Sequence, residues 1–313
     1  MAYQPYFSSY RPSTPSSNPK KQTKKKTKKT HKKVFWAVLV LLIVFFFVFF
    51  GNKKPLSDVT NTIVKINPIQ KKTTPPAPSL NLTLLSNQIN GVITANSGID
   101  FSVSTIDLSN GQLEHYGDSG TFLAASTSKV ITAEDFLKQV ELGNESLTET
   151  INGSSAEHEI QQMIVVSNDN AWDALNNELG YNQLETYASQ IGIPDFDSDA
   201  NSLTSNDIAV ALQKLYQGQL LNSNDTQLLL SYLSEANYRQ YILPAIPSGY
   251  MVYHKVGFYE DYVHDAVIIN KGNQTIVLVI FTNGNGTYNW TLRAQLMQQI
   301  TKYVLATYFT SSS

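Results

Sequence analysis

Ser126 and Lys129 are spaced so that they could act as a nucleophile and its base. They lie in the segment FLAASTSKV, where small and apolar residues lead into a predicted helix. A serine hydroxyl attacks a carbonyl carbon when a base removes its proton, and a lysine kept neutral by burial is such a base. Residues three apart on a helix share one face, so we expect the two side chains to meet. This spacing also arises by chance, and other residues must support the pair.

Two later segments carry polar residues suited to the same chemistry. Ser167 begins SNDN, between one apolar helix and the next, and Lys255 lies in HKVGF on a predicted strand. Gly257 has no side chain, which lets another backbone come close. Taken singly, Ser167 is typical of a helix cap and Lys255 of a solvated strand lysine. The combination of the three segments is what indicates a catalytic site.

That combination resembles the penicillin-recognising serine hydrolases, which include class A β-lactamases and penicillin-binding peptidases. The resemblance extends from about residue 80 to residue 308 and is strongest to class-A-like proteins anchored on Gram-positive cells. It implies that Ser126 is the acyl-accepting nucleophile and that Lys129 is its base, directly or through a relay. It also implies that Ser167 passes protons to the leaving nitrogen.

The same resemblance implies a set of substrate-binding positions. Lys255 would supply positive potential for a substrate carboxylate. The backbone N–H groups of Ser126 and Phe258, the latter just beyond Gly257, would form an oxyanion hole. His264 stands where class A enzymes place a carboxylate-binding arginine, and a protonated histidine would compensate for it.

Two positions near the motifs depart from the family pattern. Asp169 stands where the family has an asparagine, and a carboxylate cannot donate a hydrogen bond to a substrate carbonyl. Its charge would also raise the pKa of Lys129 and make that lysine a poorer base. Asn168 or Asn170 is the alternative occupant of this place, although the residues after Asn170 favour Asp169. Val256 replaces a hydroxyl residue that would bind the substrate carboxylate.

A third departure concerns the water that would release an acyl group. Class A enzymes carry a glutamate on a long loop, whereas residues 191–204 form a short segment here, and no glutamate lies between Glu185 and Glu235. The segment holds three shorter acids, namely Asp195, Asp197 and Asp199. We therefore expect acylation to be faster than deacylation.

The N-terminal part of the chain predicts a membrane anchor. Residues 34–50 are 17 uninterrupted apolar residues, at the short end of the roughly 17–25 needed to span a bilayer. A signal peptide or a buried core helix is the alternative. Residues 1–33 hold ten basic residues and no acid, which predicts a cytoplasmic N-terminus and an extracellular C-terminal part. The lysine run lacks interleaved aromatic residues, so we do not expect nucleic-acid binding.

Charge and composition divide the chain into four predicted parts. The net charge of −2 hides an asymmetry, since from Asp58 onward 11 basic residues face 25 acids, a balance of about −14. Residues 1–33 are a basic tail, 34–50 the transmembrane helix, 51–79 a Pro-rich extracellular linker, and 80–310 the hydrolase domain. There is no cysteine, which excludes thiol catalysis and disulfides.

Hydrophobic periodicity predicts an α+β domain. The expected form is an antiparallel sheet built from both ends of the chain, with an inserted helical subdomain. Predicted strands cover residues 99–108, 113–117, 250–258, 263–270 and 274–283. Predicted helices cover residues 80–94, 127–142, 157–166, 170–179, 182–190, 205–217, 225–235 and 289–308.

The leading interpretation is a membrane-anchored extracellular serine acyl-hydrolase that acts on β-lactams or D-alanyl peptidoglycan peptides. One alternative is a catalytically weak ectodomain that binds the cell wall or signals, and another is an esterase for small acyl substrates. No cofactor is expected. His158 and Glu159 lack a third ligand at metal-binding spacing, so we expect no metal site.

Overall fold

The computed structural model describes residues 81–309. The predicted tail, transmembrane helix and linker, residues 1–33, 34–50 and 51–79, lie outside this range. Within it, no helix is both long enough and apolar enough to cross a bilayer. The described part has the predicted α+β class, with strands from both ends of the range in one antiparallel sheet.

Nine strands are present between residues 81 and 309. Five of them form the main sheet, in the order β2-β1-β9-β8-β7, with every neighbouring pair antiparallel. The strands are β1 Asp100–Asp107, β2 Gln112–Gly117, β3 Phe122–Leu123, β4 Thr150–Ile151, β5 Ser154–Ser155, β6 Ser202–Leu203, β7 Met251–Tyr259, β8 Tyr262–Lys271 and β9 Gln274–Asn283. Because β7 is an edge strand of this sheet, one of its sides is open to other parts of the chain.

Eight α-helices lie in the described range, each within two residues of its predicted bounds. They are α1 Leu82–Ala95, α2 Lys129–Leu142, α3 Ala156–Val165, α4 Asp169–Leu179, α5 Tyr181–Gln190, α6 Ser205–Tyr216, α7 Ser223–Glu235 and α8 Trp290–Tyr308. Two short 3-10 turns cover Ala125–Thr127 and Leu243–Ala245. The first of these turns holds Ser126.

The main sheet separates two apolar cores. Successive side chains of a strand point to opposite faces, and β9 shows this clearly: Leu278 and Ile280 join the core formed with α1 and α8, while Val279 and Phe281 join the core formed with the helical subdomain. Central strands buried on both faces consist of continuous apolar runs. The helical subdomain therefore packs on one face of the sheet, with its loops near the β7 edge.

Two short strand pairs were not predicted. Strand β3 pairs with β6, through Phe122 with Leu203 and Leu123 with Ser202, and β4 pairs with β5. Strands of two residues show no detectable alternation of apolar and polar residues, so the sequence pattern could not indicate them. The β3-β6 pair matters for the site because it joins segment 191–204 to the residues just before Ser126.

Candidate active site

Ser126 lies in a tight turn between β3 and α2. Its neighbour Ala125 has a φ of 50°, a left-handed conformation that is uncommon for a residue other than glycine and clusters at functional sites. Thr127 Oγ1 donates to the carbonyl of Ala124 at 2.7 Å, and Ser128 Oγ donates to the carbonyl of Ala125 at 3.1 Å. Ser126 itself is half-buried while its neighbours are buried. The turn thus holds the Ser126 backbone firmly and leaves its side chain partly accessible.

Asn201 supports this turn from segment 191–204. Its Nδ2 donates to the carbonyl of Ala125 at 3.0 Å, its Oδ1 accepts from Ser128 Oγ at 2.6 Å, and its own carbonyl accepts from the Ala124 N–H at 2.7 Å. Asn201 belongs to no motif that the sequence shows. Its φ of 48° is a conformation that asparagine tolerates better than most residues, but nothing in the sequence placed it behind Ser126.

Gly257 brings the edge strand β7 against the same turn. A Cβ atom at this position would lie 2.9 Å from the Ala124 carbonyl oxygen and 3.1 Å from the Ser126 nitrogen. A side chain therefore does not fit, and the expected close approach of two backbones is present. Phe258 follows on the edge strand with a side chain that is 40% exposed. Its N–H as an oxyanion donor remains a prediction.

Lys129 is fully buried at the start of α2, although lysine side chains are usually charged and exposed to solvent. Its Nζ donates to the Ser167 carbonyl at 2.9 Å and to Asp169 Oδ1 at 2.5 Å, and it lies 5.3 Å from the centre of the Trp172 ring. Burial lowers the pKa of Lys129, while the hydrogen bond and charge of Asp169 oppose that shift. No hydrogen bond joins its Nζ to Ser126 in the part of the chain described.

Asp169 is the residue of the second motif that faces Lys129. It begins α4 with a side chain that is 80% exposed to solvent. Asn168 instead caps the helix, since its Oδ1 accepts from the Ala171 N–H at 3.1 Å, and Asn170 is exposed. Of the three positions that the sequence left open, the structure therefore places Asp169 in the site.

Ser167 links the two lysines of the cluster. Its carbonyl accepts from Lys129, and its Oγ accepts from Lys255 Nζ at 2.8 Å. Its φ of 62° is a third left-handed conformation in a residue other than glycine at this site, adjacent to the helix that Asn168 caps. The helix-cap interpretation of Ser167 is therefore wrong, because its hydroxyl points to Lys255.

Lys255 is buried, and its alternative interpretation as a solvated strand lysine is wrong. Its Nζ contacts Ser167 Oγ and also donates to the Val256 carbonyl at 3.2 Å. Burial, and next the charge of Lys129, lower the pKa of Lys255 to about 7. His254 points to the opposite face, as predicted, where it contacts Asp265. Val256 packs in the apolar core on that opposite face and has no access to the site.

The prediction that His264 binds a substrate carboxylate is wrong. Its side chain is fully buried, its Nε2 donates to the Leu123 carbonyl at 2.8 Å, and its Nδ1 accepts from the Thr282 N–H at 3.1 Å. Burial lowers the pKa of His264 to about 4, so the ring is neutral near pH 7. It stacks on Phe281 with 4.1 Å between ring centres. His264 therefore supports the strand before the Ser126 turn and cannot reach a ligand.

Among the acids of segment 191–204, Asp197 has a hydrogen-bond partner in the described residues, whereas Asp195 and Asp199 are exposed. Asp197 Oδ1 accepts from the Ala200 N–H at 2.8 Å, and Ser198 Oγ donates to Glu185 Oε1 at 3.0 Å. These contacts stabilise turns of the segment itself. Across residues 81–309, no group of three His, Asp or Glu side chains is arranged to hold a metal ion.

Comparison with known proteins agrees with this geometry. A model of the Beta-lactamase enzyme family matches residues 84–308. An ancestral class A β-lactamase (GNCA) has a TM-score of 0.66 at 19% identity, covering 71% of this chain and 98% of its own. The comparison with curated proteins found no match.

PBP-A is a second similar structure, with a TM-score of 0.65 at 22% identity, covering 72% of this chain and 97% of its own. A PBP-A mutant solved as an acyl-enzyme complex with penicillin-G also has a TM-score of 0.65 at 22% identity, covering 71% of this chain and 95% of its own. At such identities the likeness shows a shared fold, and the family match supplies the relationship. The predicted family is confirmed: this chain belongs to the beta-lactamase enzyme family, with a class A β-lactamase-like serine hydrolase scaffold.

Proposed function

We propose that this protein is a membrane-anchored serine acyl-hydrolase that forms a covalent acyl-enzyme on Ser126. The substrates would be β-lactams or D-alanyl peptidoglycan peptides. The observation that carries the proposal is the buried cluster of Lys129, Ser167 and Lys255 next to the Ser126 turn. Two desolvated amines that contact one serine, Lys129 at its carbonyl and Lys255 at its hydroxyl, can take a proton from a nucleophile and return it to a leaving nitrogen.

The chemistry proceeds in two stages. Ser126 Oγ attacks the carbonyl carbon, and the developing oxyanion lies near the Ser126 N–H and the β7 backbone, where donors are fixed before the reaction. The intermediate then collapses, and the leaving nitrogen takes a proton from the Ser167 hydroxyl. The acyl-enzyme is released when water attacks it. Segment 191–204 holds no glutamate, and no hydrogen bond in the described residues joins its aspartates to Ser126, Lys129 or Ser167, so we expect this last step to be slow.

The proposed location follows from the sequence. The apolar run 34–50 is flanked on its N-terminal side by the basic residues of 1–33. Basic flanks are retained in the cytoplasm. The catalytic domain would therefore lie outside the cell, where cell-wall peptides and β-lactams are encountered.

One observation favours a second function, a wall-binding ectodomain with little catalysis. The Asp169 carboxylate lies 2.5 Å from Lys129 Nζ and stabilises its charged form. If neither lysine can lose its proton, the scaffold would bind acyl peptides without reacting. An esterase acting on small acyl groups would use the same nucleophile and remains a variant of the first proposal.

The test is labelling of the full chain with a fluorescent penicillin, followed by peptide mapping. Wild type is expected to carry the label on Ser126, and Ser126→Ala is expected to carry none. Ser189→Ala, which removes an exposed serine at the end of α5, is the matched control and should label normally. Label that persists in Ser126→Ala would refute the nucleophile, and an unlabelled wild type would favour the wall-binding function.

A further inference from the structure

The two buried lysines of the site have different partners. Lys129 Nζ contacts a carboxylate oxygen of Asp169 and the Ser167 carbonyl. Lys255 Nζ contacts the Ser167 hydroxyl and the Val256 carbonyl. No carboxylate lies within salt-bridge distance of Lys255 Nζ in the described residues. One amine therefore has a counter-ion and the other has a hydroxyl.

These partners favour opposite protonation states. A carboxylate at 2.5 Å stabilises the ammonium form of Lys129. Lys255 is desolvated and also lies near the positive charge of Lys129, and both effects favour its neutral form. The pKa of Lys255 is accordingly lowered to about 7. Near neutral pH, the Lys255 amine is therefore neutral in a substantial fraction of the molecules. In that form its nitrogen has a free electron pair that can accept a proton.

We propose that Lys255, acting through the Ser167 hydroxyl, accepts the proton of Ser126 during acylation, while Lys129 stays charged and positions Ser167. This inference rests on the proposed function, because it assigns the proton acceptor of that same reaction. It exchanges the roles that the family resemblance implies for the two lysines. The reason for the exchange is Asp169, which stands where the family has an asparagine.

The proton transfers balance over one acylation. The Ser126 proton moves to Ser167 Oγ as the Ser126 oxygen bonds to the carbonyl carbon, and the Ser167 proton moves to the electron pair of Lys255 Nζ. The carbonyl electron pair moves to its oxygen. When the carbon–nitrogen bond breaks, the nitrogen takes the Ser167 proton, and the Lys255 ammonium returns its proton to Ser167. The cluster ends in its starting state, with Lys255 neutral.

The charged groups that act on Lys255 come from three elements. Lys129 on α2 lowers the pKa of Lys255, whereas Asp169 on α4 and Asp265 on β8 raise it. Asp265 is engaged elsewhere, since it contacts His254 Nδ1 at 3.3 Å and accepts from the Ile242 N–H at 3.1 Å. The net shift is downward because burial is the largest effect.

Arginine substitutions in the full chain test the exchange, because arginine keeps a positive charge but cannot accept a proton. The probe is the methyl ester of benzylpenicillin, which lacks the carboxylate that Lys255 would otherwise attract. We expect Lys255→Arg to slow acylation of Ser126 by about a hundredfold or more, the range for loss of a general base. Lys129→Arg should slow it by about tenfold, since a fixed charge is retained. The reverse order of the two effects would overturn the proposal.

A rescue variant guards against a simple packing defect. Asp169→Asn removes the counter-ion of Lys129, which lowers the pKa of that lysine and lets it accept a proton. The double variant Lys255→Arg with Asp169→Asn is therefore expected to regain acylation relative to Lys255→Arg alone. If the double variant stays as slow as Lys255→Arg while both retain the wild-type melting temperature, Asp169 does not control the choice of base, and the proposal fails.

A titration separates this proposal from the proposed function. In full-length protein labelled with 13C at lysine Cε, one resonance should titrate near pH 7, disappear in Lys255→Arg and persist in Lys129→Arg. The acylation rate should rise with pH through the same midpoint, since the neutral amine is the active form. Absence of any acyl-enzyme would defeat the proposed function, yet the titration would still decide the inference. A resonance near pH 7 that disappears instead in Lys129→Arg would overturn it.

Discussion

At the scale of single residues, the site is defined by charges that are buried together. Lys129 and Lys255 are both buried, and the nearest carboxylate, Asp169, is mostly exposed. Removing charges from water costs free energy unless partners replace the lost hydration. The hydrogen bonds through Ser167 replace part of it for both amines. The arrangement makes one lysine easier to deprotonate, which is the property that acyl transfer requires.

Glu134 provides a residue-scale prediction outside the catalytic cluster. Its carboxyl is fully buried on α2, neither oxygen has a hydrogen-bond partner among the described residues, and burial raises its pKa to about 8. In the unfolded chain a glutamate has a pKa of about 4.3. Between those two values the folded state binds more protons than the unfolded state, so stability falls as pH rises from about 4 to about 8.

The substitution Glu134→Gln is expected to remove this fall in stability with rising pH. At pH 7 the free energy of unfolding should rise by about 3–4 kcal/mol, because pH 7 lies about 2.7 units above the unfolded pKa and each unit costs about 1.4 kcal/mol, and its decline between pH 5 and pH 8 should become shallower. Urea unfolding at both pH values measures the effect. Glu178→Gln, at an exposed position on α4, is the matched control and should change neither quantity. An unchanged slope in Glu134→Gln would show that Glu134 is ionised in the folded state.

Most residues of the cluster could be picked out from the sequence because serine and lysine are recognisable chemical types. Hydrogen bonds join Lys129, Ser167 and Lys255, and the backbone of Ser126 lies against Gly257, while the catalytic roles of these residues stay predictions. His264 was misassigned for a physical reason: strand alternation gives the face on which a side chain lies but not its depth. On that face strand β3 packs over His264, which contacts the Phe122 ring and the Leu123 carbonyl and is fully buried.

At the scale of elements, segment 191–204 supports the nucleophile turn. The β3-β6 pair and the side chain of Asn201 hold the backbone at Ala124 and Ala125. Gly257 of β7 packs against the same turn at Ala124 and Ser126. The turn is thus held by two elements that are far apart in sequence.

Asn201→Gly tests that support. Glycine keeps the left-handed backbone but deletes two side-chain hydrogen bonds, each contributing about 1 kcal/mol. We therefore expect acylation of Ser126 to slow by about tenfold or more. Asn152→Gly is the matched control, since Asn152 also has a positive φ, of 53°, but lies in the β4-β5 turn. Equal acylation rates in the two variants would contradict a positioning role for Asn201.

The long elements were predictable because periodicity averages over many residues. All eight helices and all five main-sheet strands of residues 81–309 were predicted in this way. The pairs β3-β6 and β4-β5 were missed because a strand of two residues is too short to show a hydrophobic periodicity. The support given by Asn201 depends on the β3-β6 contact, so it could not be inferred from sequence either.

At the scale of the whole molecule, basic residues are concentrated in the N-terminal part of the sequence and acidic residues in the rest. Residues 1–33 hold ten basic residues and no acid, whereas 11 basic residues face 25 acids from Asp58 onward. A basic segment beside an apolar run stays in the cytoplasm. We predict that the N-terminus is inside and the hydrolase domain outside.

Protease treatment of intact cells that express the full chain measures this orientation. Antibodies to the two ends should show loss of the acidic domain and survival of the basic tail. Cells opened with detergent before treatment are the control, and there both ends should be cleaved. A domain that survives protease on intact cells, yet is cleaved after lysis, would contradict the predicted orientation.

In the proposed reaction, Ser126 forms an acyl-enzyme faster than water hydrolyses it. The most direct measurement mixes the full chain with a chromogenic cephalosporin and follows product in the first seconds, with intact-mass analysis of the same sample. We expect a burst of product equal to the enzyme concentration, a mass increase that maps to Ser126, and a slow steady rate afterwards. Hydrolysis without a burst, at a rate on the order of tens of turnovers per second, or a mass increase on another residue, would contradict this expectation.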